Sequence, residues 1–312
     1  VYWGLLPEFE KRLVDVVEKV IPSVVSVTTT QLARTQFSRN VPVKGQGSGV
    51  ILTDDGYIVT NAHVIEKARE VDVTVADGRT FKAKVIGASR VKDLAVLKVD
   101  AEDLVPICLG TSETLRVGQV VIAVGNPLGL GSTVTFGMVS AVDRTIQSRE
   151  AFLEDLIQTS AQINLGNSGG ALVDTQGNLI GVPTAMIPWS QGIGFAIAVD
   201  AVKRVYDELL ETGTIKTPWM GVVGVTMNPG IASHYKLQAT TGALLVQVPK
   251  GPSSKAGLKA GDIIQAIDEE DVMGMEDLRK KILNKRVGDK MRIRFLRGKE
   301  IFETYVELAV AP

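Results

Sequence analysis

GSGVILTDDGYIVTNAHVI, residues 47–65, places two short apolar runs on either side of an Asp54–Asp55–Gly56 turn. GVILT and YIVTN are strand-length and rich in β-branched residues. The Asp-Gly step between them suits a hairpin, because glycine reaches the backbone angles a tight reversal needs. The same rhythm runs on both sides of this stretch. SVVSVTT, VDVTV, LAVLKV, VVIAVG, TVTFGMVSAV, ALVD, LIGV and GIGFAIAV fall within residues 23–199, separated by Gly, Asn and Asp, with a second hairpin signal at Asp77–Gly78. About a dozen short strands with turns between them predict antiparallel barrels or a sandwich, not βαβ units.

Helical periodicity brackets this β-rich region. Phe9, Leu13, Val16, Val17 and Val20 are spaced as one helix face over 7–20, and Pro22 closes the run. A second helix is predicted over 200–212, with Asp200 as N-cap, an apolar face of Val202, Val205, Tyr206, Leu209 and Leu210, and Gly213 as C-cap. TIKTPWM (214–220) then reads as a linker. Beyond it, strand-like GVVGVTM, GALLVQV, DIIQAID, MRIRFLR and IFETYVEL alternate with helix-like SSKAGL and MEDLRKKIL, a small α+β unit. The expected division is an N-terminal segment and helix at 1–22, a β-domain at 23–213, the linker at 214–220 and the α+β domain at 221–312.

Composition narrows the class of protein. Hydrophobic residues make up 45% and charged residues 22%, with a formal net charge of −1. No overall field points to nucleic acid. Apolar runs such as VVIAV (120–124) fall far short of the roughly 20 residues a membrane helix requires. The one cysteine, Cys108, excludes an internal disulfide and a thiolate-rich zinc site, and its apolar neighbours in VPICLG predict a buried, inert thiol. No metal or cofactor is expected. The chain begins at Val1 with no leader-like segment, so a leader or membrane anchor absent from this chain is expected to have been removed.

GNSGG (166–170) carries the strongest chemical signal. Glycines around Ser168 let the backbone turn tightly and bring successive N–H groups towards one point, as a tetrahedral oxyanion requires. By itself such a loop is usually only a turn. The chain has just two histidines, His63 in TNAHVI and His234 in SHYKL. His63 has a serine loop downstream and an aspartate, Asp93, between them at the head of the apolar strand DLAVLKV. A carboxylate buried there needs a partner, and a histidine Nδ1–H is one. The order His63, Asp93, Ser168 is that of the chymotrypsin arrangement.

GSGVILTDDGYIVTNAHVI, DLAVLKV, GNPLGLGSTVTFGMVSAV and GNSGGALVDTQGNLIGV together resemble the HtrA/Deg family of serine proteases. The resemblance runs from about residue 7 to the C-terminus and includes one PDZ domain. It implies a mainly β fold, a chymotrypsin-like pair of six-stranded barrels followed by an α+β PDZ domain. It also implies ATP-independent endoproteolysis and a homotrimer, or a multiple of trimers, built from the protease domain. By position, His63 is the general base, Asp93 its orienting partner and Ser168 the nucleophile. Gly166, Asn167 and Ser168 form the oxyanion loop. Ile163, Ala196 and Ile197 map to the primary specificity pocket, whose uncharged walls imply cleavage after small or medium aliphatic residues. Residues 144–153 match the loop that senses activation, 184–192 the loop beside the pocket, and the loop at 30–44 is short.

Three positions depart from the family pattern. Leu165 replaces a usual proline, Ser160 an aspartate and Pro183 an asparagine. Leu165 adds an N–H and frees a backbone angle, which predicts an oxyanion loop more mobile at rest. In the C-terminal domain, Trp219, Met220, Gly221 and Val222 match the PDZ carboxylate-binding loop, with the helix at 275–284 as the far wall of a groove for peptide C-termini. The late basic residues alternate with apolar ones in MRIRFLR and read as a wet strand face rather than a nucleic-acid patch. Tyr2 and Trp3 are expected in subunit contacts. The function expected is degradation of unfolded or misfolded proteins in the cell envelope or a periplasm-like compartment. The alternative is a catalytically silent, chaperone-like peptide-binding scaffold of the same fold. An esterase-like acyl hydrolase fits less well with the PDZ domain and the barrel pattern.

Overall fold

The structure is a computed structural model that describes residues 7–34, 40–127, 131–147, 152–164, 166–186, 192–212, 216–235 and 239–311. Two compact units emerge, Val1–Ile215 and Lys216–Pro312.

The first unit opens with α1 (Glu8–Val20), which buries Val16 and Val20 and leaves Phe9 half exposed. Pro22 lies in the short turn Ile21–Ser23 that ends it, since a residue without an N–H cannot continue the helix. Seven strands follow: β1 (Val24–Arg34), β2 (Asn40–Ile51), β3 (Tyr57–Thr60), β4 (Glu70–Thr74), β5 (Thr80–Lys82), β6 (Lys84–Ser89) and β7 (Leu94–Lys98). Their hydrogen-bonded order is β5-β4-β1-β2-β3-β7-β6. Only Ala83 separates β5 from β6, and its N–H donates to the Val71 carbonyl at 2.8 Å. The two are halves of one bent strand, pairing with β4 at one end and β7 at the other, so six strands close a barrel.

The second barrel uses β8 (Cys108–Leu109), β9 (Val120–Gly125), β10 (Thr133–Gln147), β11 (Phe152–Thr159), β12 (Ala171–Val173), β13 (Asn178–Met186) and β14 (Gly194–Ala198). Pairing between β12 and β13 closes β12-β9-β10-β11-β14-β13 into a ring of six, with β8 lying parallel to β13 outside it. Cys108, expected to be buried, is exposed. It belongs to this two-residue bridge on the outer side of β13.

Alternation along the strands sorts the core. Val25, Val27, Ile51, Ile58 and Leu97 fill the first barrel, and Val121, Ala123, Ile157, Leu172 and Ala196 the second. Their neighbours Val24, Val50, Val59, Val96, Ile122, Val124 and Ile197 point the other way into a third cluster shared by both barrels and by α1. Strands buried on both faces read as continuous apolar runs, which accounts for VVIAV and LAVLKV. Each such side chain contributes ~1.5–3 kcal/mol by leaving water.

Helix α3 (Val199–Thr212) joins the shared cluster through Val202, Val205 and Leu209, whereas Leu210, expected on the same face, is half exposed. The helix starts at Val199, so Asp200 lies inside its first turn rather than capping it. The capping hydroxyl comes from elsewhere in the chain: Ser112 Oγ accepts the Asp200 N–H at 3.4 Å. In return the Asp200 carboxylate accepts the Ser112 N–H and hydroxyl at 2.7 and 2.6 Å. These bonds, with Lys203 and Thr111, outweigh partial burial and hold its pKa far below the usual carboxylate range.

The second unit contains β15 (Pro218–Trp219), β16 (Val223–Thr226), α4 (Pro229–Tyr235), β17 (Ala243–Gln247), α5 (Pro252–Lys255), β18 (Ile263–Ile267), β19 (Glu270–Asp271), α6 (Met275–Leu283), β20 (Lys290–Arg297), β21 (Glu300–Glu307) and β22 (Ala309–Val310). The main sheet runs β16-β17-β18-β20-β21, with β19 beside β18. Met220, Leu245, Ile264, Leu278, Met291 and Phe295 form its core. Pro218–Trp219 pairs with Ala309–Val310, fastening the two ends of this unit together. The basic residues of β20 meet acids: Arg292 with Glu269 at 2.9 Å, Arg294 with Asp271 at 3.2 Å, and Arg297 with Asp262 at 2.7 Å. Helix α4 has no counterpart in the sequence-based expectation, because PGIASHY lacks a sustained apolar period.

Candidate active site

His63 sits in α2 (Ala62–Ile65), a single turn that follows directly on β3. Asp93 stands just before β7, in a left-handed conformation with φ of 48°. Asn61 secures that corner by donating its side-chain amide to the Asp93 carbonyl at 3.0 Å. The Asp93 carboxylate is buried, and its oxygens divide the work. Oδ1 accepts the His63 backbone N–H at 3.0 Å, and Oδ2 pairs with His63 Nδ1 at 2.8 Å. Oδ2 also accepts the Thr184 hydroxyl. Three donors satisfy the hydrogen-bonding capacity that this buried carboxylate would otherwise lack.

Burial alone would lower the His63 pKa. The hydrogen bond and charge of Asp93, helped by Glu66, overcome it and leave the pKa raised above the ordinary value. With Nδ1–H given to Asp93, the neutral ring keeps Nε2 as an acceptor.

Ser168 lies in the turn that leads into β12 of the second barrel. Its hydroxyl donates to the Thr184 carbonyl oxygen at 3.5 Å, and among the described residues no hydrogen bond joins it to His63. Such contacts tighten when substrate arrives. The glycines around it are required by space and angle. Gly166 has φ of 121°, and a Cβ there would lie 2.3 Å from Pro127 Cβ. Gly169 has φ of 81° and would meet the Ser48 carbonyl at 2.3 Å. Asn167 braces the loop from within, accepting the Asn164 N–H through Oδ1 and donating through Nδ2 to the Gln162 carbonyl, each at 2.9 Å.

Of the three residues assigned to the pocket, the structure brings two together. Ile163 and Ala196 share the cluster inside the second barrel, and a Cβ on Gly194 would meet Ile163 at 2.4 Å. Ile197 is the next residue on β14, so it faces the opposite side and packs in the cluster shared by the barrels. Ser160 accepts the Met138 N–H at 3.1 Å. Pro183 stands at a bulge of β13, where a missing N–H is tolerated, and its carbonyl accepts the Gly169 N–H at 2.9 Å. Leu165 lies outside the described residues, as do Tyr2, Trp3 and parts of the loops at 30–44, 144–153 and 184–192.

Two residues that sequence alone did not single out meet this site. Thr184 links Asp93 and Ser168 through its side chain and carbonyl respectively. Ser48 is fully buried beside the nucleophile loop. Its sequence signal was a hydroxyl set between two glycines, Gly47 and Gly49.

In the second unit, Trp219 packs against Gly221 and Gly251, where added Cβ atoms would lie 3.1 and 2.7 Å from its ring. The Met220 carbonyl accepts the Ser253 N–H and hydroxyl at 2.9 and 2.6 Å. Gly221, at φ of 81°, turns the chain, and half-buried Val222 leads into β16. That strand is an edge of the sheet, with Val223 and Val225 exposed. Helix α6 runs beside it, its Met275 N–H capped by the Thr226 hydroxyl at 3.0 Å.

Comparison with known proteins agrees with this architecture. Residues 47–182 match the trypsin-like peptidase domain model, and residues 220–308 match the PDZ domain model. The periplasmic pH-dependent serine endoprotease DegQ of Escherichia coli is 38% identical over 95% of this chain and 70% of its own length. The chain belongs to the HtrA/Deg family of serine proteases. DegP of the same organism is 41% identical over 82% of this chain and 55% of its own length. The HtrA-type protease AlgW with a decapeptide superposes with a TM-score of 0.85 at 35% identity, covering 96% of this chain and 98% of that one. Like these HtrA/Deg relatives, the chain is a serine endopeptidase with a mainly β protease fold and a PDZ domain.

Proposed function

We propose that Ser168, His63 and Asp93 form the catalytic triad of an ATP-independent endopeptidase for unfolded or misfolded proteins. The observation that carries this is the His63–Asp93 pair at 2.8 Å, tied to Ser168 through Thr184, whose hydroxyl donates to Asp93 and whose carbonyl accepts the Ser168 hydroxyl at 3.5 Å. Ser168 Oγ attacks the peptide carbonyl while His63 Nε2 takes its proton. Asp93 keeps the ring oriented and offsets the imidazolium charge, and the Gly166 and Ser168 amides receive the oxyanion. The protonated His63 then hands its proton to the leaving amine, and water hydrolyses the acyl-enzyme. The apolar side chains Ile163 and Ala196, assigned to the pocket by the family resemblance and packed in one cluster, favour small or medium aliphatic residues before the cut bond.

The loop Trp219–Val222 and the free edge of β16 support capture of peptide C-termini by strand addition. Exposed Phe9, Val134, Phe136 and Met138 form an apolar surface on the protease unit, with Phe9 and Phe136 in edge-to-face contact at 6.4 Å. It supports assembly of copies of this chain into a trimer. The relatives named as periplasmic serine endoproteases support an extracytoplasmic location.

Wild type and Ser168→Ala should be compared for casein degradation and for labelling by a fluorophosphonate. The wild type should degrade casein and take one label per chain, and Ser168→Ala should do neither. An unlabelled, inactive wild type would favour a peptide-binding scaffold instead.

The raised His63 pKa also fixes the acid limb of activity. His63 must be neutral to accept a proton, so kcat/KM should rise with a midpoint above the ordinary histidine value of 6.5. Glu66→Gln removes one raising charge and should move that midpoint downward in a pH–rate profile. Stability linked to the same group has the opposite sign: it is full below the ordinary value and lost as pH climbs through the raised one.

A further inference from the structure

Ser48 lies on β2 in the first barrel, yet its hydrogen bonds reach the nucleophile loop of the second. Its side chain is fully buried. The hydroxyl donates to the Gly166 carbonyl at 2.5 Å and accepts the Asn126 backbone N–H at 2.8 Å. Its own backbone N–H donates to the Ser168 carbonyl at 3.0 Å. Its carbonyl accepts the Thr60 hydroxyl at 2.7 Å, three residues before His63.

The consequence is geometric. A peptide unit is a rigid plane, so fixing its carbonyl fixes the plane. Ser48 holds the Gly166–Asn167 plane through its hydroxyl and the Ser168–Gly169 plane through its amide. Between them lies the Asn167–Ser168 plane, which carries the Ser168 N–H. With both flanking planes held, the Gly170 N–H donated to the Asn167 carbonyl at 3.0 Å stops the remaining rotation of that plane and gives the Ser168 N–H its direction. Asn126 removes the last freedom of the hydroxyl, because its N–H occupies a lone pair and leaves the proton to point at Gly166.

We propose that Ser48 is a positioning residue for the oxyanion hole, fixing the nucleophile loop of one barrel from a strand of the other. The role rests on the triad assigned above. Ser48 touches neither substrate nor reacting atoms. Its glycine neighbours serve the same end. A Cβ at Gly47 would meet Val64 at 2.7 Å and one at Gly49 would meet Ile58 at 2.9 Å, so the strand approaches closely where Ser48 must reach.

Two variants test this in the full chain. Ser48→Ala removes the hydroxyl but keeps the backbone bond, and Ser48→Cys fills the space with a weak donor. Both should lower kcat on a peptide substrate with an aliphatic residue before the cut bond by roughly 10- to 100-fold, with KM little changed, because a misaimed donor loses transition-state stabilisation only. Affinity for a peptide boronate, which forms a tetrahedral adduct, should fall in step with kcat/KM. Thermal melting separates folding from positioning, since Ser48→Cys should melt near the wild type. Wild-type kcat in folded Ser48→Cys, or a loss carried by KM alone, would overturn the role. Failure of the triad itself would show differently, as a wild type that no fluorophosphonate labels.

Discussion

Asp93→Asn is expected to lower kcat by about 10⁴-fold while leaving the fold intact. The His63 backbone N–H needs an acceptor at the position of Oδ1, and the asparagine carbonyl will supply it. Its NH₂ group then occupies the place of Oδ2 and donates where Asp93 accepted from His63 Nδ1. The ring must answer with its other tautomer, which puts the proton on Nε2, where a lone pair is needed to activate Ser168. The Thr184 hydroxyl also loses its carboxylate acceptor. Steady-state kinetics on a peptide substrate, with circular dichroism to confirm folding, measures the effect. A fall of less than about tenfold would remove Asp93 from the role given to it.

Gly166→Ala should lower kcat/KM by roughly 10²- to 10³-fold, about the loss expected when an oxyanion donor is withdrawn. Two constraints coincide at this residue. Its φ of 121° is unfavourable for any residue with a Cβ, and the added carbon would lie 2.3 and 2.8 Å from Pro127 Cβ and Cγ. Neither relaxes without rotating the peptide that Ser48 holds or displacing Pro127. Binding of a substrate-derived peptide to Gly166→Ala carrying Ser168→Ala should stay close to that of Ser168→Ala alone, because ground-state contacts are untouched. Near wild-type turnover in Gly166→Ala would mean that the Gly166 amide takes no part in receiving the oxyanion.

Much of this was legible in the chain itself. Hairpin chemistry at Asp54–Gly56 and the short β-branched runs point to antiparallel barrels or a sandwich, and the family resemblance supplied the choice of barrels. The scarcity of histidine made His63 conspicuous. Other features depend on distances no local pattern encodes. Ala83 is an ordinary small residue until the bent strand it joins closes the first ring. Thr184 read as the start of the loop beside the pocket, whereas β13 continues through it and carries it to Asp93. Ile197 was grouped with Ala196 by adjacency, although adjacent strand residues face opposite ways. Asp200 has the right chemistry for a helix cap one position too late, and the cap came from Ser112, which is distant in sequence.

The division of the site between the barrels bears on how the protein is made. Synthesis runs from the N-terminus, so the first barrel is complete at Lys98 while Ser168 is still to come. His63 and Asp93 then have no nucleophile to serve, and the serine, once made, is unarmed until its own barrel closes and docks. A nascent chain is the very kind of extended polypeptide that an endopeptidase cuts. The proposed triad is therefore assembled only once the second barrel, which ends with β14 at Ala198, has formed, and the shorter nascent chain carries no complete triad that could cut it.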